Sequence, residues 1–246
     1  MTARRRLLVA LVASALLVTT ACGSESESGG DLGTGAAGDL DLDPDPDLEA
    51  IVASTVRVRA DGCGPRTELG TGTSIPDGLV VTAAHVVAGA EQVEIVDRAG
   101  TAIGAEVVMF DPDLDVAALR PSTGIGSSVL LRDEVGRQGE VGVVGLISSD
   151  GTAEPVAVDV LQRVAIRTTD IYRDQPVERP GLRIDVSVEP GDSGAMVHLP
   201  GGGVGIVWSR STAAEDQVWT VDLPTELLDA STRRGLVDAV DVVACL

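Results

Sequence analysis

The stretch VEPGDSGAM, running from Val188 to Met196, sets one serine between two glycines with an aspartate just before it. Four small or polar residues also make an ordinary tight turn, so Ser193 is a candidate nucleophile only if the chain supplies a base and an acid to orient it. There are two histidines. His85 stands in LVVTAAHVVAGA, at the end of a Val-rich strand beside a helical turn. His198 stands in AMVHLP, just after the serine, and reads as structural. For the acid, FDPDLDVAALR places Asp115 where a loop enters an apolar strand. Asp111 and Asp113 read as solvated loop residues, with Asp113 the competitor for the same role.

The surrounding pattern is that of strands. IVASTVRVRA alternates apolar and polar residues, TELGTGTSIPDGLVVT reads as strand, turn and strand, and EQVEIVDRAGTAIGAEVVMFD and DVAALRP continue the series. After a polar break at 122–128, QGEVGVVGLI, VAVDVLQRVAIRTTDIY, LRIDVSVE, AMVHLP, GVGIVWSRS and DQVWTVDLP resume it. Short strands at regular spacing with turn signals predict an all-β barrel or sandwich. Two sets of about six strands predict two antiparallel barrels side by side, about 49–125 and about 126–222. PTELLDASTRRGLVDAV predicts a C-terminal helix in 223–246, with Pro224 in its first turn.

The three residue types fit one chemistry. A serine hydroxyl is a weak nucleophile at neutral pH, so an imidazole must take its proton and later return it to the leaving amine. A buried carboxylate fixes the imidazole tautomer, and small neighbours leave the N–H groups of Gly191 and Ser193 free for a developing oxyanion.

TAAH, DPDLDVAAL and GDSGA, in the order His, Asp, Ser, resemble the chymotrypsin-like (trypsin-fold) serine proteases over about residues 49–246. GTGTSIPDGLVVTAAHVVAGA, DIY and EPGDSGA are most similar to the MarP-type acid-resistance proteases, with HtrA-type proteases, which usually add a PDZ domain not expected here, also similar. The resemblance implies His85 as general base, Asp115 as its acid and Ser193 as nucleophile, in a cleft between two barrels. It also implies a pocket floor at Ser187, which is neutral and gives no reason to expect cleavage after basic residues, and a pocket wall at Trp208, for which barrel packing is the competing role. Ala195 replaces the second glycine of the usual GDSGG, which leaves a catalytically impaired binding or scaffolding protein as the alternative to an active endopeptidase. Asp192, which in many relatives pairs with a freshly cut N-terminal amine, is expected to find an arginine or backbone N–H groups instead.

The N-terminus reads as an address. Arg4, Arg5 and Arg6 precede an apolar run, Leu7 to Val18, too short to span a membrane comfortably. VTTAC then resembles a lipobox, predicting a signal peptide over 1–21 and lipidation of Cys22; an ordinary secretory signal that leaves Cys22 free is the alternative. Residues 22–48 are rich in Gly, Ser, Asp and Pro and predict an acidic flexible tether. Their D-x-D repeats lack the glycine and closing glutamate of a calcium loop, and no metal or other cofactor is expected. Cys63 and Cys245 remain as an even pair in an exported chain and predict a disulfide, with two buried thiols as the alternative. The resemblance implies the same pair.

The net charge of −20, with every basic residue an arginine, disfavours nucleic acid as a partner. The expectation is a monomeric protease-domain lipoprotein on the outer face of the bacterial cytoplasmic membrane, or a secreted one, acting on protein or peptide.

Overall fold

The computed structural model describes residues 47–246 apart from 63, 64, 66, 213, 215 and 243. The signal peptide, Cys22, most of the tether and Cys63 lie outside the described residues. Among those described, no helix is long and apolar enough to cross a membrane.

The first barrel is built from β1 (Thr55–Asp61), β2 (Glu68–Ile75), β3 (Leu79–Thr82), β4 (Gln92–Val96), β5 (Ala102–Asp111) and β6 (Val116–Pro121). The second is built from β7 (Val141–Ile147), β8 (Ala153–Thr169), β9 (Pro176–Asp185), β10 (Met196–Leu199), β11 (Gly202–Arg210) and β12 (Gln217–Asp222). Each closes on itself, in the order β1-β2-β3-β6-β5-β4 and, for the second, β7-β8-β9-β12-β11-β10. The connectivity is therefore the same twice over, although the two halves share no visible sequence repeat. All pairings within the barrels are antiparallel, and closure leaves no free sheet edge in either. The fold is the two-barrel chymotrypsin-like one.

The cores follow from composition. With few aromatic residues in the chain, the interiors are Val, Ile, Leu and Ala: Val58, Leu79, Val81, Ile95 and Leu119 in the first barrel, Val144, Ile184, Val197 and Leu199 in the second. Strand β1 shows the alternation its sequence predicts from Thr55 onward, whereas β3 is buried on both faces.

Two expectations are corrected. The run from Ile51 begins as helix, not strand: α1 spans Leu48–Ser54, and β1 starts only at Thr55. Asp47 caps this helix by accepting the Ala50 N–H at 3.1 Å, and Glu49 sits in its first turn. These N-terminal signals outweigh the strand preference of Ile51 and Val52. At the other end, the single expected helix is two short ones, α3 (Thr225–Leu228) and α4 (Ala230–Arg234). Asp229 takes an extended conformation and its carboxylate accepts the Thr232 N–H at 2.7 Å, so it ends one helix and starts the next. Pro224 is the N-cap of α3 and not a residue of its first turn.

The segment after β12 returns to the first barrel. Arg233, only 7% exposed, donates from Nε to Asp77 Oδ2 at 2.8 Å and from Nη1 to the Leu227 carbonyl at 2.6 Å. Arg120 of β6 donates to the Leu236 carbonyl at 2.7 Å, and Val240 N–H to the Val107 carbonyl at 2.8 Å.

Candidate active site

His85 lies in a one-turn helix, α2 (Ala84–Val87), on the connection that follows the third strand of the first barrel. Ser193 lies on the connection that follows the third strand of the second barrel, between β9 and β10. Asp115 lies between β5 and β6. The shared connectivity thus puts His85 and Ser193 on equivalent loops of two barrels.

Asp115 is 2% exposed and faces α2. Its Oδ2 is 2.8 Å from His85 Nδ1, and its Oδ1 accepts the His85 backbone N–H at 2.8 Å. Its carbonyl accepts the Ala84 N–H at 3.2 Å. A carboxylate acceptor holds the imidazole proton on Nδ1 and leaves Nε2 as the acceptor. Asp115 achieves this with φ of 64°, an uncommon conformation for a residue with a side chain. Of the two other loop acids, Asp113 is exposed, and Asp111 closes the turn by accepting the N–H groups of Asp113 and Leu114.

The serine loop docks against the first barrel through backbone. Thr71 of β2 donates its N–H to the Ser193 carbonyl at 2.9 Å and its Oγ1 hydrogen to the Gly191 carbonyl at 2.9 Å. Gly194, with φ of 90°, comes so close that a β-carbon there would lie 2.3 Å from Thr71 O and 2.8 Å from Ala83 N. Position 194 therefore admits only glycine, for conformation and for space. Ala83 is two residues from His85, so the base and the serine loop meet at this seam. No hydrogen bond joins His85 to Ser193 among the described residues; the ring's bond is to Asp115. Such contacts are often open without substrate.

The N–H groups of Asp192, Gly194 and Ala195 donate to the carbonyls of Glu189, Val207 and Asp192. Those of Gly191 and Ser193 make no hydrogen bond among the described residues, and Gly191 has φ of 106°. Ala195 is fully buried in the second core, and its φ lies outside the left-handed region. Its methyl group is thus accommodated at the position where the motif usually has glycine.

Asp192 is buried, with its Oδ2 accepting the Glu189 N–H at 2.7 Å. Burial raises its carboxyl above the ordinary value; the Glu189 N–H opposes this, the Glu189 charge adds to it, and Arg57 of β1 opposes it. The Glu189 N–H therefore serves this carboxylate, while Arg57 donates to the Ser148 carbonyl and forms no ion pair with Asp192 among the described residues.

Ser187 is exposed and lines a cavity of about 710 Å³ with Arg57, Leu69, Glu189, Pro190 and Asp192. Trp208 does not line it. It sits at a bulge in β11, and its ring lies 4.8 Å under the Arg179 guanidinium. Sequence reasoning misses Thr71, Arg57 and Arg179, whose partners are distant in the chain. His198 is 3% exposed with Nε2 unpartnered, and burial lowers its pKa to about 4, so it is a neutral core histidine. Among the described residues no cluster of acids, histidines and cysteines is arranged to hold a metal.

The family described as Trypsin-like peptidase domain matches residues 70–204. Serine protease Rv3671c of Mycobacterium tuberculosis is 30% identical over 206 residues, covering 81% of this chain and 50% of that protein. A Halomonas elongata protein named "Probable periplasmic serine endoprotease DegP-like" is 32% identical over 151 residues, 59% of this chain and 31% of its own. The chain thus spans no more than half the length of these curated relatives. The crystal structure of the Rv3671c protease in its active form superposes with a TM-score of 0.69 at 26% identity, covering 84% of this chain and 92% of that one.

Proposed function

Because this chain belongs to the trypsin-like peptidase family, we propose that it is a serine endopeptidase that cleaves protein or peptide through an acyl-enzyme. The observation that carries the reading is the buried Asp115 carboxylate bonded to both the ring and the backbone of His85, at the seam where the Ser193 loop docks. In this reading His85 Nε2 takes the Ser193 proton as the hydroxyl attacks the scissile carbonyl and delivers it to the leaving amine. Water then repeats the sequence on the ester. The Gly191 and Ser193 N–H groups receive the oxyanion, and one such donor is worth roughly 3 kcal/mol in the transition state. Ser187 belongs to the substrate pocket. Trp208 supports the site from below.

A fluorophosphonate probe tests this. The folded wild-type chain is expected to label covalently and Ser193→Ala to stay unlabelled; an unlabelled wild type would leave a binding protein on a protease scaffold.

Its setting follows from residues 1–48, read as a lipoprotein signal and a tether. Lipid on Cys22 holds the domain on the outer face of the membrane, within roughly 30 Å for a flexible coil of this length. Cys245, which is disulfide-bonded, takes Cys63 as its partner. Intact-mass measurement of the membrane fraction is expected to give a chain starting at Cys22 with added acyl mass and two hydrogens fewer than the reduced form. A mature mass without acyl groups would instead indicate secretion.

A further inference from the structure

Among the described residues, Arg179 of β9 is the largest fully buried side chain, at 2% exposure. A guanidinium removed from water needs partners that repay its lost hydration. Its partners are all at one place. Nε donates to the Asp113 carbonyl at 2.6 Å, Nη2 to the Pro112 carbonyl at 3.3 Å, and the Trp208 ring lies against the guanidinium. Burial lowers its pKa, and the charges of Asp115, Asp111, Asp113 and Asp170 oppose that. The β8–β9 connection adds two bonds to the same loop: Ile171 N–H to the Pro112 carbonyl at 3.2 Å and Gln175 Nε2 to Asp113 Oδ1 at 3.1 Å.

The second barrel, which carries Ser193, therefore grips the loop of the first barrel that carries Asp115. The grip falls two and three residues before Asp115, whose own backbone is in the left-handed region and does not hold itself there. We propose that Arg179, supported by Trp208, is a positioning residue that sets the His85–Asp115 pair in register with Ser193. This rests on the protease reading above and extends it to a residue that touches neither substrate nor Ser193. A misplacement of about 1 Å at a catalytic group costs on the order of a hundredfold in rate, and a loop that loses both Arg179 bonds, including the donor to its Asp113 carbonyl, is open to such a shift.

The test uses Arg179→Met and Arg179→Lys in the full-length protein, with thermal melting as the check on folding. Lysine keeps the buried charge but has one nitrogen in place of the two that reach Asp113 and Pro112. If Arg179→Met does not fold, Arg179→Lys carries the test. Three readings are expected. Fluorophosphonate labelling slows about a hundredfold in Arg179→Met and less in Arg179→Lys. For a peptide substrate, kcat falls while KM stays within about twofold, since no substrate contact is lost. In a Ser193→Ala background, the downfield proton signal of the His85–Asp115 hydrogen bond broadens or disappears in Arg179→Met while the signals of both barrels remain. Folded variants that label at the wild-type rate and keep that signal would make Arg179 core packing only, and overturn the proposal. If wild-type protein does not label at all, the protease reading fails, while the proton signal still decides whether Arg179 holds the pair.

Discussion

Thr71 uses each of its polar groups at the seam between the barrels. Its N–H holds Ser193, its hydroxyl holds Gly191, and its carbonyl accepts the Thr82 hydroxyl at 2.8 Å. The Gly191 carbonyl is thereby pointed at Thr71, which fixes the peptide that follows it, whose N–H bonds to Glu189. Thr71→Val keeps the volume and the N–H but loses the hydroxyl donor, about 1 kcal/mol of orientation. Fluorophosphonate labelling of Thr71→Val is expected to slow roughly fivefold to tenfold, with a melting temperature close to wild type; an unchanged rate would mean the loop holds its shape alone. His85, Asp115 and Ser193 are legible in the sequence because each sits in a local run whose neighbours signal its setting. Thr71 and Arg179 are not, because a threonine in a strand or an arginine in a hairpin acquires its role from residues far along the chain. Trp208 was readable only as one of two roles, and its ring is occupied by Arg179.

At the level of elements, the strands are legible because Val-rich alternation and turn residues mark them, and so are the helical turn at His85 and the helical character of the tail, whereas the first helix and the break within the tail are not. Ile51 and Val52 carry the β-branched texture of a strand, yet they lie within the seven-residue helix Leu48–Ser54 that Asp47 caps. In the tail, Asp229 divides what periodicity alone presents as continuous. The returning segment matters for stability through Arg233, which joins α4 to the β2–β3 turn and also satisfies carbonyls of α3. Arg233→Met would leave these acceptors and the Asp77 carboxylate without their donor. Its expected cost is roughly 2–3 kcal/mol, read as a lower urea midpoint with unchanged slope. A midpoint equal to wild type would show that the tail docks through its backbone alone.

For the molecule as a whole, acid is a load on the buried face of β10 that packs against α1. His198 is buried with its Nε2 unpartnered, and its pKa in the folded protein is about 4 against an ordinary 6.5. The unfolded chain takes up a proton there below about pH 6.5 and the folded one resists until about pH 4. The stability linked to this group is whole above pH 6.5, declines as pH falls, and by pH 4 is reduced by about 3 kcal/mol. His198→Gln should flatten the fall of the urea midpoint across that window relative to wild type; parallel curves would count against it. The division of the site between barrels has a consequence in time. Every strand of the first barrel finds its neighbours by Pro121, but the loop that carries Asp115 is not held until Arg179 and the β8–β9 connection of the second barrel reach it. At about 5–20 residues per second, the roughly 70 residues that separate Pro121 from Ser193 take some 4–14 seconds more to be made. Through that interval the chain has neither a held His85–Asp115 pair nor a nucleophile for it to arm, so the site is assembled in one event, when the second barrel closes against the first.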